Sequence, residues 1–305
     1  MHLTRSPEQA PAAGLPWAKR ERIHVVSVGR DVAPWAPRLI DSLRAQTWRD
    51  YTCSLVDDAS TDGTLTRLRE EIAGDPRFCI QRCERRVWAA QARQLAISAL
   101  PAPRDHEIVV LLDADDWLLC EHALERIRDA HHQRGLLASH GRWRNERGEE
   151  TVRREGYPAR VRVAAAYRRW PWIATHPRAF RYGLWRHVSD DELRGADGRY
   201  FRAATDLALF LPIMELAGAR VGFIEGLLYG YNQANPNGWD RTDLVEPRRA
   251  GAAVHRKPPK RPLAPSEAAR LLGPWSRSAG VEPGSATAAR CVASPGGAAS
   301  PGGVA

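Results

Sequence analysis

Short apolar runs alternate with helical patterns along this chain, and that alternation restricts it to a few folds. The apolar runs lie at 23–28, 53–56, 78–80 and 108–112. The segments that follow them place apolar residues at helical spacing, and they lie at 34–46, 62–72, 88–100 and 120–131. Because a repeated strand–helix unit builds a parallel sheet with helices on both faces, we predict a single α/β domain with a mostly parallel sheet.

Composition separates the folded part of the chain from its two ends. Residues 1–20 are rich in Pro and Ala and show no periodicity, so we expect a flexible leader there. Residues 262–305 are dominated by Ala, Gly, Pro and Ser and cannot bury enough apolar surface to offset chain entropy. We therefore place the domain at 21–245, followed at 246–305 by a basic and then Ala/Gly/Pro/Ser-rich tail that is largely disordered, apart from a short helix at 266–272.

The basic charge of the chain lies mostly at its C-terminal end. The formal net charge is +9, and residues 246–305 carry +6 of it. The predicted domain is therefore close to neutral, and we expect no nucleic-acid partner. The basic stretch at 256–261 predicts at most a peripheral contact with an acidic membrane surface.

Two further features bear on where the protein works. The sequence has no apolar run of the roughly 20 residues that a transmembrane helix needs. Its cysteines number five, which is few and odd, so a reducing compartment fits better than a disulfide framework. We expect a cytoplasmic protein, with any membrane contact at the inner face.

Acidic residues follow the predicted strands at the end where parallel sheets bind their ligands. They are Asp31 after the first strand, Asp57 and Asp58 after the second, and Asp113, Asp115 and Asp116 after the fourth. Three acids within four positions repel one another, and a hard divalent cation with oxygen ligands relieves that repulsion. The same acids also suit the N-terminus of a helix, so the residues alone leave both interpretations open.

The acids belong to a wider set of stretches, at 25–28 with Asp31, 43–51, 56–64, 92–94 and 111–118. In order and spacing, these stretches resemble the GT-A fold glycosyltransferases of family 2. The resemblance covers about 22–232 and implies a Rossmann-like domain with two halves. The nucleotide-binding half would be about 21–120 and the acceptor-binding half about 121–245.

The resemblance also implies a donor and a metal. The donor would be a nucleotide-diphospho-sugar, and a UDP-sugar is the one we expect. The residues implied to bind it are Asp31, Asp58, Arg93, Asp113 and Asp115. Asp115 and Asp116 would hold Mn²⁺ or Mg²⁺, which stabilises the charge on the departing diphosphate.

On the acceptor side, the resemblance implies a carboxylate base in an inverting displacement. Asp206 matches that position, although many relatives carry Glu-Asp where this chain has Thr205-Asp206. An Asp there also suits the positive end of a helix. His176 and Trp172 are candidates for contacts with a carbohydrate, lipid-linked or small-molecule acceptor, but a buried histidine and a core tryptophan would look the same in sequence.

Three other functions compete with a metal-dependent glycosyltransferase that adds single sugars. A non-catalytic relative acting as a partner subunit would share the fold, although the acids and Asp206 are present. A sugar nucleotidyltransferase would have a glycine-rich first loop, whereas the loop at 28–32 has one glycine. A nucleic-acid-binding protein would suit the basic and aromatic stretches at 142–144 and 167–170, but the acids at the strand ends would repel phosphate.

Overall fold

The computed structural model describes residues 21–152, 154–236 and 245–273, together with the backbone of one short strand at Thr4–Arg5. The described strands form a single nine-stranded sheet. They are β1 (Thr4–Arg5), β2 (Ile23–Gly29), β3 (Tyr51–Asp57), β4 (Phe78–Arg82), β5 (Ile108–Leu111), β6 (Trp117–Leu118), β7 (Ala138–Asn145), β8 (Arg178–Arg181) and β9 (Val221–Tyr231). Across the sheet they run in the order β1-β4-β3-β2-β5-β8-β7-β9-β6.

The first half of the sheet is parallel, as predicted. β4, β3, β2 and β5 lie side by side in one direction, with Val26 of β2 level with Ser54 and Leu111. The helices between them are α1 (Ala36–Arg44), α2 (Thr64–Ile72), α3 (Trp88–Ser98) and, after β6, α4 (Ala123–Gln133). The predicted strands and helices of this half are confirmed, so the carboxyl ends of β2, β3 and β5 meet at one edge.

In the second half, the strand direction reverses at β8. This strand pairs antiparallel with both β5 and β7, while β7 and β9 run parallel to each other. Because β8 enters the sheet against the direction of β5, its first residue, Arg178, lies level with Leu111, the last residue of β5. A residue that begins β8 therefore reaches the same edge as the residues that follow β5.

Helix α7 (Thr205–Ala217) is buried in the hydrophobic core, after the short helices α5 (Ala159–Val163) and α6 (Tyr182–Trp185). Every residue of α7 from Leu207 onwards is buried, because the sequence is apolar on all faces of the helix. Its first turn, with Asp206, is half-buried at the edge of the sheet. Within the part of the chain that the structure describes, no helix, α7 included, is long and apolar enough to cross a bilayer.

The folded part of the chain reaches residue 273, past the end predicted at 245. Helices α8 (Val245–Arg256) and α9 (Pro265–Leu271) follow, and α9 corresponds to the short helix predicted at 266–272. Both helices pack on the domain through buried apolar residues, which are Ala250, Val254, Ala268 and Leu271. Of the predicted leader, the structure describes β1, which pairs antiparallel with β4, and the predicted tail beyond residue 273 lies outside the described residues.

A buried ion pair holds α8 against α7, and it explains why the domain extends past the boundary that composition predicts at residue 245. The Arg168 guanidinium donates from Nε and Nη2 to the two oxygens of Glu215 in α7, each at 2.8 Å. Its Nη1 donates to the carbonyl of Val254 in α8 at 2.5 Å, and the backbone N–H of Lys260 donates to Glu215 at 3.0 Å. These polar contacts join segments that are far apart in sequence and leave no mark on local composition.

We expect Glu215→Gln to destabilise the fold by about 3 kcal/mol or more, because it leaves the Arg168 charge buried without its counter-ion. The Glu215 side chain is fully buried and that of Arg168 is 5% exposed. Urea unfolding measures the effect. The matched control is Glu70→Gln, at an exposed pair with Arg67, which should change the free energy of unfolding by less than about 0.5 kcal/mol. Equal effects in the two variants would contradict this account.

Candidate active site

A cavity of about 770 Å³ opens at the edge where β2, β3 and β5 end. The segments after these strands, the start of α3, the start of α7 and the end of β9 form its walls. The predicted donor, metal and base residues all line it, and they are Asp31, Asp58, Arg93, Asp113, Asp115, Asp116 and Asp206. The residues predicted from the sequence are thus far apart in the chain but line the same cavity.

Asp58 fixes the wall of the cavity beside α3. Its carboxylate is buried and accepts the backbone N–H groups of Val87 at 2.6 Å and Trp88 at 2.9 Å. Burial raises the pKa of Asp58, and these two hydrogen bonds oppose the rise. Trp88 has a φ of +70°, a left-handed conformation that is rare for a bulky residue, and Asp58 holds it there. A carboxylate accepts more than two hydrogen bonds, so Asp58 can still receive one from a ligand.

Asp31 ties the segment after β2 to the segment after β3. Its backbone N–H donates to Ser60 Oγ at 2.8 Å, and its Oδ1 accepts the N–H of Thr61 at 2.7 Å. Arg30 pairs with the other carboxylate oxygen at 3.2 Å. Two strand ends are thus joined by short polar contacts, which gives this end of the cavity a defined shape.

The three acids after β5 occupy different environments. Asp113 forms an ion pair with Arg93, and its backbone N–H donates to Tyr229 Oη at 3.1 Å. Asp116 is buried, and its two oxygens accept the Tyr229 hydroxyl at 2.5 Å and the N–H of Asn232 at 2.7 Å. Burial and the charge of Asp115 raise the pKa of Asp116 well above its usual value. Asp116 therefore joins β9 to the acidic segment.

Asp115 is the acid whose surroundings fit a metal. Asn235 Nδ2 donates to its Oδ2 at 2.7 Å, while burial and the charge of Asp113 raise its pKa to about 6. A divalent cation would remove that electrostatic cost, and Mg²⁺ often takes one or two carboxylates together with substrate phosphates. Among the described residues, no three His, Cys, Asp or Glu side chains cluster as a metal site by themselves. Asp115 therefore fits the role of a metal ligand, with one of its oxygens accepting a hydrogen bond from Asn235. In Asp116, by contrast, both oxygens accept hydrogen bonds from the protein.

Asp206 lies between two arginines at the start of α7. Its Oδ1 is 2.7 Å from Arg93 Nη1, and its Oδ2 is 2.9 Å from Arg178 Nη1. Desolvation favours the protonated acid, but the charges of Arg178 and Arg93 outweigh it and hold the pKa of Asp206 well below its usual range. Arg93 also donates to Thr205 Oγ1 at 3.0 Å. The Asp206 side chain is 31% exposed, so it remains accessible from the cavity.

The two predicted acceptor residues, His176 and Trp172, are absent from the cavity lining. His176 is buried, and its ring stacks on Tyr229 with the centroids 4.4 Å apart. Its Nε2 accepts from Arg178 Nη1 at 3.0 Å, so the ring is neutral with its proton on Nδ1. Burial and the charge of Arg178 lower the pKa of His176 to about 4. The Trp172 ring centre lies 5.8 Å from the Arg178 guanidinium carbon.

Sequence reasoning missed Arg178 and Asn235. A charged residue beside the apolar pair Ala179 and Phe180 in a short strand is a signal, because an arginine buried in a sheet requires a partner. That signal indicates a partner without naming it. Asn235 carries no comparable signal, since it lies in a polar stretch after β9 and its partner is 120 positions away.

Stability separates the two acids that were predicted to hold the metal. We expect Asp116→Asn to lower the free energy of unfolding by about 1–3 kcal/mol, because an amide replaces an acceptor that receives two buried donors. Asp115→Asn is the matched control in the same segment, and it should cost less than about 1 kcal/mol, since it removes a desolvated charge next to Asp113. Urea unfolding without metal measures both. A larger loss for Asp115→Asn would reverse these assignments.

Comparison with solved structures shows the fold. The S. aureus TarS fragment 1–349, in complex with UDP-GlcNAc, matches with a TM-score of 0.60 and 15% identity over 82% of this chain and 70% of that one. The mannosyltransferase PcManGT from Pyrobaculum calidifontis, in complex with GDP-Man and Mn²⁺, matches with a TM-score of 0.55 and 18% identity over 84% and 69%. In two other structures of the TarS fragment, the match spans 60% of the fragment.

Comparison by sequence gives the family. None of the curated protein sequences matches this chain. The family model described as "Glycosyl transferase family 2" matches residues 23–191, which is more than half of the chain. The cavity with its strand-end acids lies on a sheet whose fold matches these structures, and the chain belongs to glycosyl transferase family 2 and has the GT-A fold.

Proposed function

We propose that this chain transfers a sugar from a nucleotide-diphospho-sugar to an acceptor hydroxyl, with inversion at the anomeric carbon and with Asp206 as the general base. The observation that carries the proposal is the pair of contacts made by Arg93. Its guanidinium contacts Asp113 on the donor side and Asp206 at the start of α7. A carboxylate able to accept a proton thus lies one guanidinium away from the predicted donor site, in the same cavity.

The donor would lie along the carboxyl ends of β2, β3 and β5. Asp31 and Asp58 would contact its base and Asp113 its ribose, while Asp115 would bind a divalent cation together with the diphosphate. That cation, Mn²⁺ or Mg²⁺, offsets the negative charge that develops on the leaving nucleoside diphosphate. The TarS structure contains UDP-GlcNAc and the PcManGT structure contains GDP-Man and Mn²⁺, which supports a donor of this class with a metal. We expect a UDP-sugar.

The acceptor hydroxyl would approach from the side of Asp206. Its oxygen attacks the anomeric carbon, the bond to the diphosphate oxygen breaks, and Asp206 takes the hydroxyl proton. Arg93 and Arg178 keep Asp206 ionised at neutral pH, so the base is ready before the acceptor arrives. The cytoplasmic location, and a peripheral membrane contact through 256–261 for a lipid-linked acceptor, remain predictions.

Release of nucleoside diphosphate tests the proposal. A thermal-shift panel of UDP- and GDP-sugars with Mn²⁺ identifies the donor, because ligand binding raises the apparent stability by mass action. With that donor, we expect wild-type protein to release nucleoside diphosphate and EDTA to stop it. Release of pyrophosphate from a nucleoside triphosphate would instead indicate a nucleotidyltransferase, and absence of turnover with every donor and acceptor would favour a non-catalytic relative.

Two substitutions assign the roles. Asp206→Asn should lower kcat by about 100-fold or more and leave donor binding intact, because it removes the base and leaves the predicted donor contacts in place. Asp115→Asn should abolish the thermal shift that depends on Mn²⁺. Asp41→Asn, at an exposed position in α1, is the control and should leave both unchanged. Turnover of Asp206→Asn at the wild-type rate would remove Asp206 from the mechanism.

A further inference from the structure

Arg178 is a buried charge at the edge of the candidate site. Arg178 is 4% exposed, and its Nε donates to the carbonyl of Ala174 at 2.8 Å. Its Nη1 lies 3.0 Å from His176 Nε2 and 2.9 Å from Asp206 Oδ2. Among the described residues, Asp206 is the one carboxylate within ion-pair distance of this guanidinium.

Such a charge is costly to bury unless its partners compensate for the loss of water. Arg181, at the other end of the same four-residue strand and level with Ile108, pairs with Glu21 and donates to the carbonyl of His106. Arg178 instead directs its charge toward the cavity. Its compensation comes from Asp206, a residue that lines the cavity, so Arg178 acts on that residue as well as on the packing of β8.

The charges around Asp206 show why a second cation is needed there. From α3, Arg93 contacts Asp206, but it is shared with Asp113, so these three groups together leave one negative charge. From the segment before β8, His176 lies 3.8 Å from Asp206 and is neutral. Asp115 adds further negative charge to the same cavity. Arg178 balances the negative charge left by Arg93, Asp113 and Asp206, and the charge of Asp115 remains in the cavity for a cation.

The donor would make that balance more important. A diphosphate in the cavity adds negative charge, and nearby like charges favour protonation of a carboxylate. Without Arg178, Asp206 would gain a proton more readily when the donor is bound, and a protonated acid cannot act as the base. The same contact fixes orientation, because Arg93 holds Oδ1 while Arg178 holds Oδ2.

We propose that Arg178 is a positioning residue that keeps Asp206 ionised and oriented to accept the proton of the acceptor. This inference rests on the proposed function of Asp206. It also gives a role to the two acceptor candidates chosen from sequence, since His176 and Trp172 pack against the Arg178 guanidinium and hold it in place.

The test compares Arg178→Gln with Arg178→Lys in the full chain, using the donor identified by thermal shift. For Arg178→Gln we expect kcat to fall by about 100-fold, since a catalytic group that is displaced by about 1 Å can lose that much activity. The KM for the donor should stay within about twofold, because none of the predicted donor contacts changes. Arg178→Lys keeps the charge and should retain at least about a tenth of the wild-type kcat.

The pH profile distinguishes this role from a merely structural one. Arg178 lowers the pKa of Asp206, so its removal raises that pKa, and activity should be lost at a higher pH on the acid side. Because the pKa of Asp206 lies well below its usual range, we expect no acid limb from Asp206 in the wild type or in Arg178→Lys over the pH range in which the fold is stable, and we expect one to enter that range in Arg178→Gln. Arg142→Gln is the matched control, because Arg142 pairs with Glu150 outside the cavity, and it should change neither kcat nor the pH profile.

Three results would overturn the proposal. They are a wild-type kcat in Arg178→Gln, a fall in its kcat without an acid limb, and a folded Arg178→Lys no more active than Asp206→Asn. The last applies even if the glutamine variant does not fold. If wild-type protein consumes no nucleotide sugar, the proposed function fails, and the link is then tested by stability alone. Non-additive effects of Arg178→Lys and Asp206→Asn on unfolding would support the link, and additive effects would overturn it.

Discussion

The site depends on one buried guanidinium that joins three segments of the fold. Arg93 extends from α3 to Asp113 after β5 and to Asp206 at the start of α7. Burial opposes its charge, but the two carboxylates raise the pKa of Arg93 further above its usual value. Because α7 is buried along the rest of its length, the backbone of Asp206 cannot shift without displacing the core, so the fold sets the distance between the proposed donor site and the proposed base.

The acidic segment after β5 shows how one short motif divides its tasks. Asp113 compensates Arg93, Asp116 accepts hydrogen bonds from β9, and Asp115 is left with its charge facing the cavity. Each role follows from what packs opposite the residue rather than from the residue type. Asp113 and Asp116 anchor the segment, and that anchoring keeps the Asp115 carboxylate at the cavity, where the proposed cation and diphosphate would reach it.

Local pattern was enough for the first half of the fold, because each strand and helix there has its own periodicity and the acids follow directly in sequence. Asp206, the acid at the start of an apolar helix, was predicted from the resemblance to family 2, because local pattern alone also fits an acid that caps a helix. Local pattern did not predict the partners of these acids, since Arg178, Tyr229 and Asn235 come from segments far along the chain. It also placed the end of the domain before α8, because the contacts that hold this helix, from Arg168 to Val254, span 86 positions.

A carboxylate held by two arginines is a weak base, and the reaction explains why that suffices. A general base works best when its pKa lies near the working pH, and the pKa of Asp206 lies well below that pH. In the proposed reaction, the diphosphate leaves as the acceptor attacks, so the acceptor hydroxyl becomes strongly acidic only when its bond to carbon is largely formed. A weak base can accept the proton at that stage, whereas a protonated one could not accept it at all. In a cavity lined by five other acids, keeping Asp206 ionised matters more than making it a stronger base, and the two arginines keep it ionised at the expense of its basicity.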